Sequence, residues 1–192
     1  MNSFYTKNEL QNIGFKSFGE NILISRKASI YSPERIRLGN NIRIDDFCIL
    51  SGDIVIKDYV HIAAYSALYG GDAGILICDY SNISSRVCIY ALSDDYSGLT
   101  MTNPMIPDKY KRITSESVVV EEDVIIGSGS TILPGVVLSR GTAIGAMSLV
   151  KNSTNPWMIY AGIPIKELKP RSKALLEQKF LFEKELFEEC YE

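Results

Sequence analysis

Residues 36–62 read IRLGNNIRIDDFCILSGDIVIKDYVHI, and a step of six runs through them. Counting by sixes from Ile24 gives Ile24, Ile30, Ile36, Ile42, Cys48, Ile54, Val60 and Ser66, each apolar or small. Shifting by two gives Leu38, Ile44, Leu50, Ile56, Ile62 and Leu68, each aliphatic. The unit is a three-residue strand, in–out–in, followed by a three-residue turn, because alternate strand residues share a face. The turns carry Gly39-Asn40-Asn41, Asp45-Asp46 and Lys57-Asp58, residue types suited to sharp corners.

The step returns downstream. Val118, Val124, Ser130, Val136, Thr142 and Ser148 run in sixes, with partners Val120, Ile126, Ile132, Leu138, Ile144 and Val150. Ile75/Ile77, Ser81/Ile83 and Val87/Ile89 lie between the two runs. Three units close a coil of about 18 residues, and stacked coils make a parallel β-helix. A helical bundle needs a period near 3.6, and a βαβ fold needs amphipathic helices between strands, so both are excluded. The expected fold is all-β, with a short N-terminal cap, one long loop and a C-terminal α-helix.

Gly70-Gly71-Asp72-Ala73-Gly74 adds three residues to the step and predicts a bulge. A short helix is expected near residues 7–13. Residues 91–117 break the repeat, and a structureless stretch of that length is usually functional. Leu175, Leu176, Lys179, Phe180, Glu183, Leu186 and Phe187 recur at helical spacing. Their mixed charges predict packing on the prism or on a neighbouring subunit. The domain expectation is a β-helix over 1–170 and a C-terminal helix over 171–192.

Composition narrows the function. The 192 residues carry 20 Lys+Arg and 23 Asp+Glu, a net charge of −3, which argues against a nucleic-acid-backbone binder. No apolar run reaches the roughly 18–20 residues that span a bilayer, and the first residues lack a signal peptide's apolar core. The expected location is the cytoplasm, with no membrane partner. Cys48, Cys78, Cys88 and Cys190 show no CxxC or zinc spacing and read as ordinary thiols of a reducing compartment. His61 is the single histidine, which excludes a His-rich metal site within one chain.

The hexapeptide pattern over about residues 18–171, with the closing segment PWMIYAGIPIKELKPR at 156–171, resembles the left-handed β-helix of the hexapeptide-repeat acyltransferases. Within that family it is similar to the galactoside- and maltose-acetyltransferase-like sugar acetyltransferases. The resemblance implies acetyl-CoA as co-substrate, no metal, a homotrimer with sites in the grooves between subunits, and a sugar or nucleotide-sugar acceptor, often tied to surface polysaccharide. It implies CoA contacts at Gly127, Ser128, Gly145 and Ala146, where missing side chains leave room for pantetheine. Lys151, Lys166 and Arg171 would meet its phosphates. Amides of these small-residue turns would stabilise the oxyanion.

Family members of this branch carry a loop histidine in a segment like IYTATHP. Here residues 89–96 read IYALSDDY, which puts Asp94 in the histidine's place. Three accounts of the proton follow. His61 acts as base, since histidine exchanges a proton near neutrality. Or Asp94 or Asp95 acts, with its pKa raised by burial or by the paired carboxylate. Or the acceptor is an amine and needs no base.

Strand centres face outward, and counting every third strand puts Arg43, His61 and Asn82 on one face. Arg43 and Asn82, with Tyr96 from the loop, are the candidate substrate contacts. Three other users of this fold compete. The trimeric zinc carbonic anhydrases need three histidines per site. A scaffold needs neither the loop nor the closing segment. A serine-acetyltransferase-like enzyme would have a large helical N-terminal domain, and only about 20 residues precede the coils.

Overall fold

The computed structural model describes residues 3–189. Parallel strands one coil apart stack into three faces of a prism, the β-helix that the period of six requires. Face one contains Ile22–Ile24, Ile42–Ile44, His61–Ile62, Asn82–Ile83, Ile125–Ile126, Ala143–Ile144 and Met158–Gly162 in spatial order. The strand Ile165–Pro170 folds back antiparallel on the last of these. Ile49–Ile56 and Ala67–Ile77 are long enough to turn a corner, so they join faces two and three into one continuous sheet.

The in–out–in reading is the observed burial. Ile24, Ile36, Ile44, Leu50, Ile54, Ile62, Leu68, Ile89, Val118, Ile126 and Ile132 are 0% exposed. Removing aliphatic surface at about 25 cal/mol per Å² is the main force holding the coils in register. Ser66, Ser130 and Ser148 also point inward, and each hydroxyl is satisfied by a turn carbonyl: Ser66 by Ser84 O, and both Ser130 and Ser148 by Gly145 O. Among the described residues no fully buried side-chain nitrogen or oxygen lacks a partner.

The glycine bulge sits at the corner between faces two and three. Gly52 pairs with Gly71, and Ile54 with Ile75, so the three extra residues are taken up between Tyr69 and Ile75. The insertion is a bulge at the corner of that strand, and every later strand keeps its face.

Two helices close the prism. Helix α1 (Lys7–Ile13) starts at a capping box between Thr6 and Glu9 and buries Leu10. Helix α2 (Leu175–Glu189) lies against one corner. There Tyr59 and Tyr80 stack at 5.0 Å, Phe182 meets Tyr59 edge-on, and Glu183 accepts from the Tyr80 hydroxyl. Lys179 pairs with the buried Asp123 at 3.1 Å and lies 4.0 Å from the Tyr80 ring centroid. The helix therefore packs on its own prism, one of the two arrangements expected. Cys48, Cys78 and Cys88 are free thiols, and Cys190 lies outside the described residues. Among the described residues no helix is long and apolar enough to cross a membrane.

Candidate active site

Register brings the predicted face-one residues together. Arg43 pairs with His61, and His61 with Asn82, across successive coils. The strand alternation turns all three outward. The His61 ring bridges two side chains: Nε2 lies 2.9 Å from Asp45 Oδ2, and Nδ1 lies 3.0 Å from the Asn82 side-chain oxygen. The other Asp45 oxygen accepts from Arg43 Nε at 2.7 Å. Burial works against the Asp45 charge, but the bonds from His61 and Arg43 outweigh it and hold the carboxyl below its ordinary range. Both ring nitrogens of His61 are thus engaged within the chain. Through these contacts His61 ties adjacent coils together.

The long loop builds a second cluster at another corner. Leu92–Ser93 pairs antiparallel with Thr114–Ser115, so the insertion leaves the prism through a two-stranded neck. Asp94 follows that neck directly. It faces a cavity of about 920 Å³, with Tyr69, Tyr90, Tyr96, Lys111 and Thr131 among its walls. Tyr69 and Tyr90 stack at 5.1 Å with an interplanar angle of 14°. Their stacking follows from the coil repeat, since Tyr69 and Tyr90 are register partners in adjacent coils. Tyr96 is 94% exposed. The His61 cluster does not line this cavity, so one chain does not bring His61, Arg43 and Asn82 to Asp94.

Asp95 is not a poised base. Its carboxylate accepts from the amide and hydroxyl of Ser97 (2.7 and 2.6 Å) and from those of Thr100 (2.9 and 3.0 Å). The Ser97 bonds above all hold its pKa down to about 2, the opposite of the raised value that proton acceptance would need. Asp95 organises the turn after Asp94. Because the folded-state pKa is depressed, its contribution is complete above about pH 4 and is lost as pH falls through about 2. Amide protection at Ser97 and Thr100 should therefore hold from neutral pH to about pH 4 and fall below it. Hydrogen exchange followed by NMR reads this directly, and full protection near pH 2 would sever loop order from Asp95.

The C-terminal turns correct another expectation. A Cβ on Gly127 would stand 2.4 Å from Ala146 N, and one on Gly145 would stand 2.9 Å from Ala161 Cβ. The missing side chains admit the next coil, not a ligand. The amides of Gly127 and Gly145 donate to Ile144 O and Tyr160 O, so they are not oxyanion donors. Ser128 and Ala146 are exposed at these turns, as are Lys151 and Lys166. Arg171 is different. Its Nη1 donates to the carbonyls of Asp123, Gly141 and Thr142, which makes it a clamp on the corner beneath α2. Burial lowers its pKa. In the folded chain Nη1 is committed to backbone carbonyls.

A prism of hexapeptide coils with a large cavity under a long loop is the architecture expected of a β-helix acyltransferase. No family model matches the chain. It is 49% identical over 177 residues to the dTDP-4-amino-4,6-dideoxy-D-glucose acyltransferase of Escherichia coli, covering 91% of this chain and 92% of that one. It is 30% identical over 155 residues to the putative lipopolysaccharide biosynthesis O-acetyl transferase WbbJ of Escherichia coli K12, covering 76% and 74%. AntD, an N-acyltransferase from Bacillus cereus solved in complex with dTDP and 3-hydroxybutyryl-CoA, matches with a TM-score of 0.95 at 52% identity, covering 97% of this chain and 99% of that one. An AntD variant has also been solved with dTDP-4-amino-4,6-dideoxyglucose and coenzyme A. The chain belongs to the sugar acyltransferases of the hexapeptide-repeat family.

Proposed function

We propose that this enzyme moves an acyl group from acyl-CoA to the 4-amino group of a dTDP-linked 4-amino-4,6-dideoxyhexose. The observation that carries the reading is Asp94 in the wall of the loop cavity, in a chain 49% identical to an acyltransferase of that sugar. The neutral amine attacks the thioester carbonyl, the nitrogen becomes cationic in the tetrahedral intermediate, and Asp94 takes its proton as the CoA thiolate leaves. An amine is already nucleophilic when neutral, so a carboxylate suffices where a hydroxyl acceptor would call for a histidine.

A homotrimer completes the site in this reading. Tyr96, Leu99 and Met105 are 94%, 84% and 88% exposed on the loop, and the outward Ile125 is 37% exposed on face one. Apolar surface of this kind gains from cover by a neighbouring subunit. The neighbour's Arg43–His61–Asn82 face would then approach Asp94 and supply sugar contacts. CoA would run along the C-terminal turns past Ser128 and Ala146, with Lys151 and Lys166 near its phosphates. Residues 1–170 carry the catalysis and 171–192 act as a packing arm. Free thiols support a cytoplasmic location.

The test is thiol release from acetyl-CoA and 3-hydroxybutyryl-CoA, with dTDP-4-amino-4,6-dideoxyglucose and its 4-hydroxy counterpart as acceptors. Release with the amine alone is the expected result. Turnover of the hydroxyl sugar at a comparable rate would overturn the amine reading, and no turnover with either would overturn the substrate.

A further inference from the structure

Acyl transfer at Asp94 leaves one buried cation of the loop unused. Lys111 crosses from Met101 in the loop, and its side chain is only 8% exposed. It lines the same cavity as Asp94, together with Ser93, Asn103 and Thr131. Its ion-pair partner is Asp108 Oδ1 at 3.0 Å, on a side chain that is 96% exposed. A carboxylate so fully in water is a weak, screened partner.

Another lysine of this chain shows what a satisfied buried ammonium looks like. Lys179 is 15% exposed and lies against Asp123 at 3.1 Å, Glu122 at 3.9 Å and the Tyr80 ring at 4.0 Å. The Lys111 side chain is the less exposed of the two, and among the described residues its one ion-pair partner is Asp108. Burying an ammonium is costly unless its charge is paired and its three donors are used. A charge held in that condition, in the wall of a cavity, is suited to an anion that arrives from outside.

We propose that Lys111 binds the diphosphate of the nucleotide-linked sugar. The inference rests on the substrate reading above and adds a residue that it lacks. The cavity falls in the size range of ligand pockets, roughly 300–1,000 Å³. Asp94 offers it a carboxylate for the amine, Lys111 a cation for the phosphates, and the Tyr69–Tyr90 stack flat apolar surface for a ring. Lys109 and Arg112 add positive charge beside Lys111 in a chain whose net charge is −3. CoA also carries a diphosphate, so the experiment must separate donor from acceptor.

Lys111→Met and Lys111→Arg would be compared with wild type. Calorimetry gives dTDP binding, and steady-state kinetics gives KM for the nucleotide sugar and for acyl-CoA separately. Loss of a charge-assisted hydrogen bond predicts a 10- to 100-fold rise, on the order of the energy of such bonds, in dTDP Kd and nucleotide-sugar KM for Lys111→Met. The acyl-CoA KM should move less than about twofold on the same footing, and Lys111→Arg should recover most of the binding. A Lys111→Met protein that binds dTDP like wild type overturns the assignment. So does a rise confined to acyl-CoA KM, which would move the cation to the donor. Spectra of lysine-13C-labelled wild-type enzyme do not depend on the variants folding: the Lys111 side-chain resonances should shift with dTDP and not with CoA, and the reverse pattern overturns the assignment. Wild-type enzyme that binds no dTDP removes the substrate reading as well. Wild-type binding that survives Lys111→Met removes only the role of Lys111.

Discussion

Asp94→Asn is expected to lower kcat by about 10²- to 10⁴-fold while leaving the fold intact. General-base catalysis is typically worth that factor, or about 3–5 kcal/mol of barrier. The substitution keeps size and hydrogen-bonding shape but removes proton affinity. Fold damage should be slight, because Asp95 and not Asp94 makes the turn bonds to Ser97 and Thr100. His61→Ala is the necessary contrast. Its ring nitrogens are engaged by Asp45 and Asn82, so its loss should cost less than about tenfold in kcat, short of the usual factor for a base. Stopped-flow and steady-state rates on both variants decide the matter. A kcat within threefold of wild type for Asp94→Asn, with a collapse for His61→Ala, would exchange the two roles.

The largest expected effect on stability is at the glycine corner. Gly52 has φ +87°, and a Cβ there would stand 2.4 Å from Gly71 N and 2.7 Å from Gly71 O. Gly52→Ala therefore meets two penalties: a left-handed conformation, about 1–2 kcal/mol, and overpacking against backbone, about 1–3 kcal/mol. Together they predict a loss of about 2–5 kcal/mol and a melting point lower by about 5–15 °C. Gly14→Ala is the control. Its φ is +88°, but a Cβ there meets nothing within 4 Å, so only the conformational cost remains. Equal melting points for the two variants would show that the corner yields to the added carbon. The corner also bears on catalysis, because a Cβ on Gly71 would come within 3.0 Å of Leu92, a cavity residue.

The inward columns were legible because each position repeats a local rule. Ile24 and Leu68 are 0% exposed for the same reason, though 44 positions separate them in the numbering. The alignment of Arg43, His61 and Asn82 was legible for the same reason, since counting strands is counting faces. Asp45 escaped notice: it sits in a turn, and nothing in the pattern says that a turn carboxylate reaches the ring of a histidine one coil later. Lys111 escaped too, because a lysine in a polar loop reads as solvated until the loop folds over it. Arg171 and the glycines at 127 and 145 were assigned to a ligand because the resemblance offered one. Their partners are carbonyls and coils brought near only by stacking.

The sequence by itself determined the β-helix, which residues face the core, and the family of chemistry. These follow from a six-residue period that each coil obeys independently, so the signal accumulates along the chain. Only the tertiary structure decided which side chains are free to act. Asp45 engaged the His61 ring, Ser97 and Thr100 bound Asp95, and the loop put Lys111 in the wall of the cavity that Asp94 lines. Those outcomes depend on how the loop folds and on contacts of about 3 Å, which the six-residue pattern does not record.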